Sequence, residues 1–222
     1  MPTATEIVRV ALAGSGIELV ASCSARTYDD AAPAGYRTAD LMAGASGVVV
    51  AASAGPALWR AFRARTTESP GFWEQEHPYD AFVATLLARA DEALRAAGVR
   101  SRRFEAAFHA PVRLDFLALA RLTGLGSPGP FALYIHQTHG PWWALRGAWL
   151  VDAELEGPLG HHPPCTGCYA PCVGGWANAG GIGDATPAVR SRCVVGQGSR
   201  YDEDQIAYHY DRARTTARLR RS

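Results

Sequence analysis

The stretch "GASGVVVAASAGPALWRAFRAR" constrains this chain most. Val48–Val50 form a β-branched apolar run typical of a buried strand. Ser53 stands where a helix cap is expected, and Pro56 suits a first helical turn. Leu58, Trp59 and Phe62 then mark an apolar stripe. A second strong signal follows in "HPYDAFVATLLARADEALRAAGV". Phe82, Val83, Leu86, Leu87, Ala90 and Leu94 keep helical spacing, and Gly98 ends the helix.

The remaining elements fall around this strand–helix unit. "ATEIVRVALAGSGIELVAS" predicts a short helix stopped near Gly14–Gly16 and a strand from Ile17. A short strand is expected within Arg100–His109, then a helix that Pro111 opens and Gly124 or Gly126 closes. Two strands, Phe131–His136 and Trp143–Val151, read as a hairpin turning at Thr138–Pro141. After Leu155 periodicity is lost: residues 156–200 hold four of the five cysteines among glycines and prolines. Residues 201–218 read as a closing helix with Asp202 as its cap. One α+β domain over 1–222, with a long cysteine-bearing excursion, is the simplest account.

A net charge of +1 gives no electrostatic case for nucleic acid or anionic membranes. All 22 basic residues are arginine. No run of about 18 uninterrupted apolar residues crosses a membrane. "VASC", at Val20–Cys23, has the shape of a lipoprotein cleavage box, but Glu18 and two glycines interrupt the apolar run before it. A cytoplasmic protein is expected, as a monomer or homodimer.

Two constellations carry chemistry. "PPCTGCYAPC" places Cys165, Cys168 and Cys172 together, with Cys193 further on. These four could give thiolates to zinc or hold one iron–sulfur cluster, or remain reduced thiols. His161 and His162 stand before two prolines and read as a solvated turn. "YIHQTHGPWWALRGAWL" gathers His136, His139, Trp142, Trp143 and Arg146 around one turn. Strand alternation puts Trp142, Ala144 and Arg146 on one face, and Trp143, Leu145 and Gly147 on the other. The first face suits a flat, partly apolar ligand with an anionic group; a plain core hairpin is the alternative. "YHY" at Tyr208–Tyr210 spreads over different helix faces. No nucleotide-binding loop or serine-hydrolase elbow is present, and no catalytic residue is assigned.

"YIHQTHGPWWALRGAWLV" and the later "RYDEDQIAYHY" occur in the order seen in a known family, which the chain resembles from near residue 5 to about 210. It is the cobalamin-processing family named for combined methylmalonic aciduria and homocystinuria type C, of cyanocobalamin reductases and alkylcobalamin dealkylases, and the chain resembles a bacterial member. The resemblance implies a flavin reductase or nitroreductase-like fold, a mixed, largely antiparallel sheet flanked by helices. It implies cobalamin held base-off and loss of the upper axial ligand, with a thiol or reduced flavin as electron donor, or a reductase partner. Leu117, Leu125, Ile135, His136, Gly140, Trp142, Leu145 and Arg146 are the cofactor contacts it implies. Of the family's three thiol-site arginines only Arg146 carries over cleanly. A second would fall near Pro187, with Arg190 and Arg192 close by. Epoxyqueuosine reductase is similar more distantly, in a Gly-Ser-Trp stretch before cysteines.

Overall fold

The computed structural model describes residues 1–107, 114–130, 133–169, 171–173, 185–211 and 219. A four-stranded antiparallel sheet forms the centre. Its strands are β1 (Leu19–Ser24), β2 (Gly47–Ala54), β3 (Ser101–Glu105) and β6 (Trp143–Val151), in the order β1-β2-β6-β3. Two short strands, β4 (Ser127–Pro128) and β5 (Tyr134–Ile135), make a separate ribbon.

Helices cover both faces, so the central strands are apolar on both sides. Val49, Ala51, Trp149 and Val151 face one layer. It contains α1 (Ala4–Leu12), α4 (Ala57–Glu68) and α5 (Pro78–Ala96). Val48, Val50, Ala52, Ala148 and Leu150 face the other. There lie α2 (Ala25–Asp29), α3 (Thr38–Leu41) and α6 (Phe116–Leu122). The valine run thus sits at the middle of three layers, as its uninterrupted apolar character requires. The stretch 156–200, expected to lack periodic structure, contains a helix, α7 (Ala185–Ser191), just before Cys193, and α8 (Glu203–Tyr210) follows it.

Several local expectations change. The expected hairpin between Phe131–His136 and Trp143–Val151 does not form. β5 pairs with β4, whereas β6 inserts between β2 and β3. An isolated bridge, His136 with Gly140, joins the two arms of the turn, and the Trp143 indole N–H donates to the Tyr134 carbonyl at 2.8 Å. Ser53 caps no helix; it is buried in β2, and Pro56 takes the cap position of α4. α6 starts at Phe116, where the Asp115 carboxylate accepts the Ala118 N–H at 2.9 Å. The expected start at Pro111 lies outside the described residues. Asp202 precedes α8, but its carboxylate binds Arg60 at 2.9 Å rather than capping the helix. Of the predicted closing helix, residues 212–218 lie outside the described residues.

The decisive irregularity is in β6. Ala51 of β2 lies opposite Gly147, and Ala52 lies opposite Leu145. Arg146 is therefore an extra residue, a β-bulge. Below it Gly147, Trp149 and Val151 face the α5 layer; above it Trp143 and Leu145 face the α6 layer. The single inserted residue shifts the alternation by one. Gly147 was expected to share a face with Trp143 and Leu145. Instead it lies under Leu87 of α5, where a β-carbon would meet the leucine methyl at 2.8 Å.

Candidate functional site

The bulge aims Arg146 into the α5 layer. Its Nε donates to Ser53 Oγ at 2.8 Å, and its guanidinium lies 5.1 Å from the centre of the Tyr79 ring. This packing holds the planar group by a hydrogen bond and a cation–π contact together. Arg146 then lines a narrow cleft with Asp80, Val83, Glu105, Ala106 and Ala107. Tyr79 is deeply buried, and its phenol is pushed up to about 12 by desolvation, with Arg146 opposing the shift.

A wide, open groove of about 480 Å³ shares Ala106 and Ala107 with that cleft. Leu114, Phe116, Leu117 and Leu145 give it an apolar lining, and Asp115 adds one polar edge. Leu117 is 52% exposed, so an apolar side chain stands uncovered on α6. The groove brings together two of the expected cofactor contacts, Leu117 and Leu145. Leu125 is fully buried in the α6 layer and lies in the core instead.

The turn carrying His136 is built differently from an open ligand face. His136 is 6% exposed, and its Nδ1 accepts the backbone N–H groups of Thr138 at 3.0 Å and His139 at 3.1 Å. Two donors at Nδ1 place the ring proton on Nε2. Desolvation, with His139 and His161 nearby, lowers the His136 pKa to about 4, so the ring is neutral at pH 7. The His139 ring stands 4.7 Å from His136 and shares a 2.7 Å hydrogen bond with Ser199 Oγ. His161 does not lie in a solvated turn as expected: both ring nitrogens are buried without a hydrogen-bond partner among the described residues.

Trp142 is 1% exposed and meets the Tyr201 ring edge-on at 5.4 Å. It supports the site from behind rather than presenting a face to a ligand. Tyr201 and His209 lie near both Arg146 and Arg190. Burial raises the tyrosine pKa, and the two cations oppose it. Burial lowers the histidine pKa, and the two cations lower it further. Arg190, from α7, thus acts on the same two side chains as Arg146. Sequence reasoning missed Tyr79 and Ser199, and read Ser53 only as a helix cap. Tyr201 and His209 carried a signal, inside the "RYDEDQIAYHY" stretch.

The four clustered cysteines are all thiols and line one small cavity of about 80 Å³. Its other walls include Ile135, Pro141, Val189, Val195 and Arg190. Ile135, an expected cofactor contact, therefore faces the thiols rather than the Leu117 groove. Metal binding by Cys165, Cys168, Cys172 and Cys193 is not supported. Tetrahedral zinc needs its sulfurs within roughly 4 Å of one another. Among the described residues no three His, Cys, Asp or Glu side chains are grouped to hold a metal ion. The thiols come from a turn, from residues 171–173 and from the segment just after α7, and they spread over the cavity wall.

This arrangement is the nitroreductase-like α+β fold, a largely antiparallel sheet between helical layers. Among solved structures, the C. elegans B12-trafficking protein CblC, a homologue of human MMACHC, is similar with a TM-score of 0.65 and 14% identity. The match covers 98% of this chain and 94% of that one. Epoxyqueuosine reductase from Streptococcus thermophilus is similar at 16% identity and a TM-score of 0.53, covering 88% of this chain and 57% of that one. Epoxyqueuosine reductase from Bacillus subtilis gives 14% identity and 0.51, covering 87% and 65%. This chain thus spans roughly three-fifths of each of these reductases. At these identities the likeness is one of fold. No family model and no curated protein sequence matches the chain. Among the described residues no helix is long and apolar enough to cross a membrane.

Proposed function

We propose that this protein binds cobalamin with its lower base displaced and removes the upper axial ligand, by reduction or by transfer to a thiol. The observation that carries the reading is the open apolar groove of Leu114, Phe116, Leu117 and Leu145 running into the Arg146 cleft. Support comes from the fold likeness to a B12-trafficking protein over nearly the whole of both chains. The two motifs that resemble the cobalamin-processing family also contribute Leu145, Arg146 and Tyr201 to this region.

The groove suits a corrin in chemistry. A corrin is broad and flat, apolar on its faces and polar at its rim. An exposed Leu117 gives a face something to cover, and a groove open along one side admits a large rigid ring. When bound, cobalamin supplies the cobalt centre at which the upper ligand is lost. The chain's own residues do the positioning. Leu117, Phe116 and Leu145 exclude water from one corrin face. Arg146, fixed by Ser53 and Tyr79, meets an anionic group at the rim or on a thiol co-substrate. Arg190 adds positive charge on the same side, by its action on Tyr201 and His209. His136, neutral and held by two backbone donors, keeps the turn at Gly140 in place and offers its Nε2–H as the remaining donor. A cytoplasmic location, where thiols stay reduced, belongs to this proposal.

An anaerobic absorbance titration with cyanocobalamin and methylcobalamin tests it. The expected result is a base-off spectrum saturating near one ligand per chain. An unchanged spectrum at saturating protein removes the proposal. Release of the upper ligand under a reductant then separates a catalyst from a carrier.

A further inference from the structure

The cysteine cavity is not needed by the groove or the Arg146 cleft, yet it is built with care. Cys165 and Cys168 sit at the two ends of one turn, closed by the Cys168 N–H donating to the Cys165 carbonyl at 3.2 Å. Gly167 takes the third position with φ +76°, the left-handed conformation that a turn of this kind assigns to glycine. The ends of a four-residue turn lie within about 7 Å, and disulfides bridge α-carbons up to about 6.8 Å apart. The turn thus holds the two α-carbons within about the separation that a disulfide spans. Pro164 and Pro171 stiffen the segment on either side, and both line the cavity.

Three further observations say what the cavity serves. It is apolar apart from the thiols and one cation, Arg190, whose Nε is buried without a hydrogen-bond partner among the described residues. Its wall includes Ile135 and Pro141, which flank the His136–Gly140 turn. Cys172 and Cys193 lie on the same wall.

We propose that Cys165 and Cys168 form a two-electron dithiol–disulfide couple that supplies electrons to the ligand held in the Leu117–Arg146 groove. The electron delivery rests on the cobalamin reading; the couple itself does not. In the step two S–H bonds break, one S–S bond forms and two protons pass to solvent. The two electrons reduce cobalt from the trivalent to the monovalent state as the upper ligand leaves with its bonding pair, cyanide as the anion. A small-molecule thiol or dithiol restores the pair by exchange.

Two readouts on the intact protein test this. In the first, the protein is equilibrated anaerobically with glutathione buffers of graded ratio, and thiols are trapped by alkylation and mapped by mass spectrometry. One disulfide between Cys165 and Cys168, formed in a single two-electron transition, is expected. Cys172→Ser retains it, and both Cys165→Ser and Cys168→Ser abolish it with unchanged circular dichroism. Absence of any disulfide, or one that uses Cys172 or Cys193, overturns the couple. In the second, prereduced and desalted protein meets cyanocobalamin with no other reductant. Loss of two thiols per cobalt reduced supports delivery. A base-off spectrum with all thiols intact overturns delivery and leaves the binding proposal standing. An unchanged cobalamin spectrum overturns the binding proposal and delivery together, while the glutathione titration still decides the couple.

Discussion

Gly140 and Gly196 pack backbone against backbone. A β-carbon on Gly140 would collide with the Val195 carbonyl, and one on Gly196 with the His139 carbonyl. Both residues also have positive φ, at 57° and 77°. The turn that holds His136 is therefore clamped to the segment that follows Cys193, and the clamp joins the thiol cavity to the candidate site. Alanine at either position meets a left-handed backbone and a clash at once. Gly140→Ala and Gly196→Ala are expected to cost at least about 2 kcal/mol each. Gly198→Ala, with nothing near its β-carbon, should stay within about 0.5 kcal/mol. Urea denaturation of the three variants checks the order, and equal midpoints would refute the clamp.

Leu117 and Leu125 come from one stretch of chain but predict opposite phenotypes. Leu117 is half exposed in the groove, so Leu117→Asp should leave stability within about 0.5 kcal/mol and weaken cobalamin binding at least about tenfold. Leu125→Ala opens a cavity in the core and should cost about 2–5 kcal/mol. Parallel thermal melts and absorbance titrations separate the two. A Leu117→Asp variant that binds normally would move the corrin site elsewhere.

Arg146→Lys keeps the charge but loses the Nε donor to Ser53 and the flat contact with Tyr79. Ligand removal should fall roughly tenfold or more while the fold is kept. Ser53→Ala should reproduce a smaller part of the loss, because Arg146 would keep its Tyr79 contact. Steady-state rates with circular dichroism as control check both; full activity in Arg146→Lys would reduce the residue to a point charge.

Stability should fall between pH 6.5 and 4. The His136 pKa is lowered to about 4 in the folded chain, below the ordinary 6.5 of the unfolded one. Its contribution is fully present above pH 6.5. It declines as the unfolded chain takes up a proton and is gone once the pH has passed the folded value. The size is on the order of 2 kcal/mol after allowance for solvent near the turn. His136→Asn, which can still accept from the backbone, should flatten that part of the pH profile. An unchanged slope in denaturation between pH 7 and pH 4.5 would show that His136 is not the group responsible.

Trp142→Ala removes a fully buried indole from against Tyr201 and should cost about 3–5 kcal/mol. Any loss of cobalamin affinity should follow from that unfolding. Titration at a temperature where the variant is folded, confirmed by near-ultraviolet circular dichroism, is expected to give affinity within about threefold of wild type. A larger loss in the folded variant would restore the tryptophan to the ligand face.

Where one pattern is local, the sequence was sufficient. The valine run, the apolar stripe of Pro78–Ala96 and the stop at Gly98 follow from side-chain periodicity and one residue's conformational freedom. The motif around His136 and Arg146 was also legible, because its residue types are distinctive. Tertiary structure decided the rest. A strand cannot announce its partner, so β6 looked like half of a hairpin and became an inner strand of the main sheet. A bulge depends on the register of two strands far apart in sequence, so the alternation read through Arg146 placed Gly147 on the wrong face. Four cysteines close in sequence suggested a point at which a metal could sit. The turn, residues 171–173 and the segment just after α7 spread them around a cavity instead, because spacing along the chain limits how far apart side chains can lie but does not make them converge.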